Sequence, residues 1–227
     1  MDRPITTLFM LMSVDGKIST GATDKLDVDR DFPKIVGVQE GLHQYYEIEQ
    51  TTDLWSLNSG RVQKKMGVNS KEMPDKSSVS FVIIDNHHLT KQGVRYFCAR
   101  SKEFVLVTSN ADHPAFQVNE ANLHIICQRK LSLSDALAKL KSEYGCQRIT
   151  IQSGGTLNGL FLREKLFDYM QILLAVVSKE GWNFLIQKYG YERLFEINSR
   201  SGWIDCETIE EFIEALKYEK EISPERV

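Results

Sequence analysis

The chain is poor in the residues that staple a fold covalently or through metal. Its four cysteines, Cys98, Cys127, Cys146 and Cys206, lie far apart and form no C-x-x-C pair, which argues against a dithiol redox motif or a cysteine zinc site. Free thiols, most of them buried, are expected. The histidines offer no metal-ligand spacing either: His87-His88 reads as an exposed loop pair, and His43, His113 and His124 lack partners nearby in sequence, so no metal is expected. No G-x-S-x-G elbow supports a serine hydrolase. No run approaches the roughly 18–20 apolar residues of a bilayer span, and Met1-Asp2-Arg3-Pro4 leads into a short apolar strand without a cleavable signal pattern. The expectation is a cytoplasmic protein without a membrane partner. Neither charge is in excess: 28 Lys and Arg against 31 Asp and Glu give 28 − 31 = −3, and without a positive field nucleic acid is not an expected partner.

What is present is ordinary globular composition over 227 residues, 42% hydrophobic and 26% charged, enough for one sizeable core. The segment Thr6 to Met12 reads as a buried strand between Pro4 and the turn-forming Asp15-Gly16. A polar loop from Ser19 to Asp31 follows, then a helix from near Pro33 with Ile35, Val38, Leu42 and Tyr45 on one face. Asp53 to Leu57 reads as a short strand and Val62 to Met66 as a short helix. Ser80 to Ile84 and Glu103 to Val107 are near-continuous apolar runs of the kind found in parallel strands covered on both faces. Leu123 to Ile126 is a further strand. A helix from Ser132 to Tyr144 ends at Gly145. Arg148 to Gln152, the helix Leu157 to Lys165 and the strand Tyr169 to Val177 complete an alternation that predicts an α/β fold: a mainly parallel central sheet flanked by helices. Beyond residue 177 the character changes, with helix-prone sequence at 182–189 and 208–217. The expected organisation is a domain over 1–177 and a divergent, helical C-terminal segment over 178–227.

Three segments sit just past carboxyl ends of predicted strands, the edge at which open α/β sheets bind ligands. In the first, Ser13, Asp15 and Lys17 bring a hydroxyl, a carboxylate and an ammonium to one loop, a trio suited to orienting a polar ring or a sugar phosphate. The second is Asn58-Ser59-Gly60-Arg61. In the third, Ser153-Gly154-Gly155-Thr156-Leu157-Asn158, two glycines before a helix start let backbone N–H groups approach an anion, and the pyrophosphate of a dinucleotide fits. Taken singly, Asp15-Gly16 and Gly154-Gly155 read more often as plain tight turns than as ligand sites.

The first and third segments carry a family resemblance. Ser13-Val14-Asp15-Gly16-Lys17-Ile18, after its strand, resembles the S-x-D-G-K-I motif of the reductase domain of bifunctional riboflavin-biosynthesis deaminase/reductases. Gly154-Gly155-Thr156-Leu157-Asn158 is similar to the G-G-x-x-L-N signature of the same family, with Leu162, Leu166 and Asp168 following in the expected order. The resemblance spans roughly residues 5 to 177 and implies a dihydrofolate-reductase-like fold, NADPH as hydride donor, a homodimer, and reduction of the ribosyl group of an aminopyrimidine ribose phosphate. By the same resemblance Asp15 and Lys17 contact substrate beside Ser13, with Asp15 as acid and Lys17 orienting an anionic group. Ser59, Gly60 and Arg61 approach the nicotinamide half or the phosphates. Gly154, Gly155, Thr156 and Leu157 hold the pyrophosphate. Thr108 and Ser109, at another strand end, are candidates for the adenosine 2′-phosphate, and an ordinary strand-end cap explains the pair about as well. The family's deaminase half needs H-x-E and P-C-x-x-C zinc motifs, which this sequence lacks, so only reduction is expected of it. The alternative is a catalytically idle NADP-binding or protein-interaction module of the same fold, which the divergent ending favours and the polar trio at 13–17 opposes.

Overall fold

A stretch such as Phe104-Val105-Leu106-Val107 has no polar side and must be covered on both faces. The computed structural model, which describes residues 2–13, 18 and 45–175, places it inside a parallel sheet. Among the described residues seven strands pair in the order β5-β4-β3-β2-β6-β1-β7, every neighbouring pair parallel. They are β1 (Ile5–Ser13), β2 (Trp55–Ser59), β3 (Ser80–Ile84), β4 (Phe104–Thr108), β5 (Leu123–Cys127), β6 (Arg148–Ile151) and β7 (Tyr169–Ala175). The helices are α1 (Gly60–Lys65), α2 (Lys91–Arg100), α3 (Leu133–Tyr144) and α4 (Gly155–Arg163).

The strand period of two divides the core between two layers. Val82, Val105, Val107, Ile149 and Ile151 pack with Leu133, Leu137, Leu140 and Phe161 of α3 and α4. Ile83, Phe104 and Leu106 point the other way, against Val94, Phe97 and Cys98 of α2. Each large aliphatic or aromatic side chain removed from water in these layers contributes on the order of 1.5–3 kcal/mol. The α/β architecture expected from the sequence is therefore the one observed, with every pairing in the sheet parallel.

Several boundaries differ. The second strand runs Trp55–Ser59 rather than 53–57, and the two helices after the glycine-bearing turns begin earlier, at Gly60 and Gly155. Helix α2 has no counterpart in the sequence reading. Thr90 caps it by accepting from Gly93 N–H, and a Cβ at Gly93 would lie 2.3 Å from Asn69 Oδ1, so that side chain would have to shift. Gly145 ends α3 in the left-handed region at φ 68°, as its position past Tyr144 suggests. The readings at 14–17, 19–44 and beyond 175 lie outside the described residues, except that 45–49 is helical. Among the described residues no helix is long and apolar enough to cross a membrane.

Chain order and spatial order disagree at one place, and that place positions the site. After β1 the chain leaves a gap, lays down β2, winds outward through β3, β4 and β5, and returns to insert β6 between β2 and β1. Ile151 pairs with Leu8 on one side and Leu57 on the other. The strands that precede the three segments singled out above, β1, β2 and β6, are thus adjacent and parallel, with their carboxyl ends together where the winding reverses.

Candidate active site

The cleft at this edge has a volume of about 840 Å³. Phe9, Met10 and Leu11 of β1, Tyr45 of the 45–49 helix and Ile18 line its apolar part, and Tyr45 stacks on Phe9 with ring centroids 5.1 Å apart. Its middle is the turn from β6 to α4, with Gln152, Ser153, Gly154, Gly155, Thr156 and Leu157. The remaining wall comes from Ser59, Arg61 and Lys65 beside β2 and from Asp85, Asn86, His87 and His88 after β3.

The β6–α4 turn is held from behind. Asn158 Nδ2 donates to Ser153 O at 2.8 Å and to Met10 Sδ at 3.2 Å, and the Ser153 hydroxyl donates to Asn158 Oδ1. The asparagine of the G-G-x-x-L-N pattern is 5% exposed and serves to lock the turn onto β1. Gly154 is the N-cap of α4 and no side chain caps the helix, so the backbone N–H groups of its first turn, on residues that line the cleft, have no intrahelical acceptor. Neither Gly154 nor Gly155 has positive φ. A Cβ at Gly154 would meet nothing closer than Val62 Cγ2 at 3.5 Å, and one at Gly155 nothing closer than Ile18 Cδ1 at 3.7 Å. Both neighbours line the cleft, so the space a side chain would fill is cleft space, and the packing does not itself require glycine at either position.

Gly60 is the opposite case. A Cβ there would lie 2.3 Å from Asp85 Cγ, so its glycine is demanded by close packing of the β2 turn against the β3 turn. Asp85 is 3% exposed and accepts from Leu89 N–H at 2.8 Å, from His88 N–H at 3.0 Å and from His87 N–H at 3.3 Å. His88 Nδ1 lies 2.8 Å from Asp85 Oδ1, and Nε2 of the fully buried His113 lies 3.0 Å from Oδ2. Burial alone would raise this carboxyl, but the hydrogen bonds from His113, Leu89 and His88 outweigh it and hold the group well below the usual carboxylate range.

Of the residues expected to bind ligand, Ser59, Arg61, Gly154, Gly155, Thr156 and Leu157 come together around this cleft. Ser13 ends β1, and Asp15 and Lys17 lie outside the described residues. Gly60, Thr108 and Ser109 are not among the residues lining the cleft. Both hydroxyls of the latter pair donate to Asn86 Oδ1, at 3.0 and 3.1 Å, and Ser109 N–H donates to the same atom at 2.8 Å. Sequence reasoning passed over Asp85, His88, Gln152 and Tyr45. Asp85 follows an apolar strand and stands two residues before His87-His88, which was a usable signal; its long-range partner His113 left none. Gln152 is fixed by Glu49, whose Oε1 accepts from its Nε2 at 2.6 Å, and by the Ser56 hydroxyl, which donates to its Oε1 at 3.1 Å. Among the described residues no group of His, Cys, Asp and Glu is arranged to hold a metal ion.

The seven-stranded parallel sheet with its flanking helices has a dihydrofolate-reductase-like fold. The chain belongs to the RibD C-terminal domain family, whose model matches residues 4–177. Among solved structures it is similar to Acinetobacter baumannii RibD at 16% identity and a TM-score of 0.51, covering 78% of this chain and 48% of that one. It spans about half the length of that protein. Saccharomyces cerevisiae riboflavin biosynthesis reductase Rib7 matches at 14% identity and a TM-score of 0.46, over 79% of this chain and 77% of that one. The Thermotoga maritima diaminohydroxyphosphoribosylaminopyrimidine deaminase/5-amino-6-(5-phosphoribosylamino)uracil reductase matches at 16% identity and a TM-score of 0.46, over 71% and 42%. No curated protein sequence matches the chain significantly.

Proposed function

We propose that the protein is an NADPH-dependent reductase that acts on an aminopyrimidine ribose phosphate in riboflavin biosynthesis. The observation that carries the reading is the pair Gly154-Gly155, where neither φ nor packing demands glycine and where a side chain would project into the cleft. Glycine is needed at such a place when a ligand lies against the backbone. Family membership supplies the reaction class.

On this reading Gly154, Gly155, Thr156 and Leu157 hold the pyrophosphate through first-turn N–H groups and the positive end of α4. Arg61 and Ser59 border the same ligand from the β2 side. The apolar end formed by Phe9, Leu11, Ile18 and Tyr45 receives a flat ring and excludes water from it. NADPH, when bound, supplies the hydride. Asp15 donates a proton to the reduced substrate, with Lys17 and Ser13 orienting its anionic and hydroxyl groups. The enzyme works as a cytoplasmic homodimer, in keeping with the family resemblance.

The test is NADPH oxidation, followed by absorbance, with aminopyrimidine ribose phosphates, dihydrofolate and simple carbonyls as acceptors. Turnover on the first class, lost in Asp15→Ala while NADPH still binds, is the expected result. Tight NADPH binding without turnover on any acceptor would replace the reading with an idle cofactor-binding module, and absence of dinucleotide binding would end it.

A further inference from the structure

Toward the amino ends of β1, β6 and β7 lies a second cavity, of about 350 Å³, closed on one side by the turn at 51–53 that leads into β2. No described residue lines both this cavity and the cleft. Phe9, two residues on from Thr7 along the same face of β1, already belongs to the cleft.

The floor of the second cavity is a row of hydroxyls. Thr7 pairs with Thr150 on one side and with Tyr169 on the other, so three hydroxyl-bearing side chains stand abreast on one face of three adjacent strands, ~4.8 Å from one strand to the next. Threonine and tyrosine are ordinary strand residues, and the row alone would mean nothing. Thr7 is the exception in it. It is 7% exposed, and among the described residues no hydrogen bond reaches its hydroxyl. Its neighbours are satisfied: the Thr6 hydroxyl donates to Leu166 O, and that of Thr150 donates to Asp53 Oδ2 at 3.0 Å and accepts from Asp53 N–H at 3.2 Å. A buried hydroxyl without a partner carries a desolvation cost that a methyl group would not. A molecule in the cavity supplies the missing partner.

The walls call for a ligand that both donates and accepts. Arg148 spends Nε on Asp53 Oδ1 at 3.0 Å, while its two terminal NH2 groups, which can only donate, have no partner among the described residues. Thr51 and Thr52 spend their hydroxyl hydrogens on Ile48 O and Glu49 O, each at 2.7 Å, and have only lone pairs left to offer. An anion would match the guanidinium and leave those lone pairs unmet; an ammonium group would do the reverse. Charge points the same way, because Arg148 and Asp53 are the only charged residues among the described lining residues and they offset each other. Hydroxyl groups on a neutral molecule serve both walls. The exposed Tyr169 ring adds a flat apolar surface for its C–H face. The volume sits at the small end of the range of about 300–1,000 Å³ usual for ligand cavities.

We infer that this cavity is a second binding site, for a neutral polyhydroxylated molecule of monosaccharide or sugar-alcohol size, held by Thr7, Arg148 and the Thr51-Thr52 turn. The site shares no residue with the cleft and does not rest on the reductase reading.

The experiment follows amide resonances of the isotopically labelled full chain, and of Thr7→Val and Arg148→Lys, as D-ribose, ribitol and D-glucose are added into the millimolar range. Acetate and inorganic phosphate are the acceptor-only controls. Thermal unfolding and NADPH titration accompany each variant. At least one of the three polyols is expected to shift the Thr7, Thr52 and Thr150 amides saturably, with affinity falling about tenfold or more in both variants and NADPH affinity staying within about twofold of the wild type. Thr7→Val removes a hydroxyl that has no protein partner, so its unfolding midpoint should hold or rise, which separates lost binding from lost structure. Undiminished polyol affinity in the folded Thr7→Val variant would overturn the inference, as would shifts confined to the cleft or no shift with any polyol. Saturable shifts of the same amides with acetate or phosphate alone would make this an anion site and overturn it equally.

Discussion

His113 Nε2 lies 3.0 Å from Asp85 Oδ2 with both side chains fully buried, so a residue following β4 holds the carboxylate that follows β3. Five hydrogen-bond donors converge on that carboxylate, three from backbone N–H groups and two from imidazoles. Asp85→Asn keeps the shape but turns an NH2 group toward donors. It is expected to destabilise the fold by about 2–4 kcal/mol, because buried donors lose their acceptor. Urea unfolding measures this, with an unchanged slope confirming that the native state is otherwise intact.

A second carboxylate ties the ends of the described domain together. Asp168, just before β7, takes two bonds from the Arg3 guanidinium, at 2.6 and 2.9 Å, and one from Thr6 N–H at 2.8 Å. The Arg3 hydrogen bond is the chief cause of a carboxyl lowered to about 2 against a modest burial penalty, and the Thr6 N–H assists it. A folded value below the unfolded one means stability fully present above the ordinary carboxylate range near pH ~4 and lost as pH falls toward ~2. Arg3→Ala is expected to diminish that acid-side loss while lowering stability at neutral pH only modestly, since the pair is partly exposed and screened. Thermal midpoints across pH 2–7 test the sign.

Much of this fold is readable from runs such as Ser80 to Ile84 and Phe104 to Val107, which have no polar face and are satisfied by a two-sided sheet. Helix α2 is not. Gly93 weakens its first turn, and Lys91, Arg95 and Arg100 dilute its apolar stripe, so local propensity argues against a helix that Val94, Phe97 and Cys98 secure by packing on Phe104 and Leu106. The site was legible where its signal is local, at Gly154-Gly155 and Ser59-Arg61. It was illegible where the cleft wall depends on a contact across 28 residues, as between Asp85 and His113. His87 and His88 do lie in a loop after β3, as their adjacency suggests, but the buried carboxylate that orients His88 is a tertiary fact.

The thiols sort by environment. Cys98 and Cys146 are buried, and burial, with lesser contributions from the charges of Glu120 and Asp53 respectively, pushes each up to about 12. Cys127, at the end of the edge strand β5, is exposed. Iodoacetamide is therefore expected to modify Cys127 in the native protein and to reach Cys98 and Cys146 only after denaturation. Peptide mass mapping of briefly treated native protein checks this, and early labelling of Cys146 would contradict the packing under α3.

The glycines at the site divide into two kinds, and one substitution series separates them. Gly60→Ala places a methyl 2.3 Å from Asp85 Cγ. Because Asp85 is fixed by five donors it cannot yield without breaking some of them, so the change is expected to cost about 1–3 kcal/mol of stability. Gly154→Ala and Gly155→Ala meet only ordinary contacts at 3.5 and 3.7 Å. They are expected to change stability by no more than about 1 kcal/mol in either direction, Gly155 tending to gain because it lies in the first turn of α4. Their effect falls on the cleft, where the added methyl occupies the space over the N–H groups; dinucleotide affinity should drop about ten- to a hundredfold. Unfolding midpoints and NADPH titrations on the three variants give a clear pattern. Loss of stability with Gly60 and loss of binding with Gly154 and Gly155 would assign the first to packing and the others to the ligand. Undiminished NADPH binding in a folded Gly155→Ala variant would instead mean that the turn's glycines serve only the tight passage from β6 into α4.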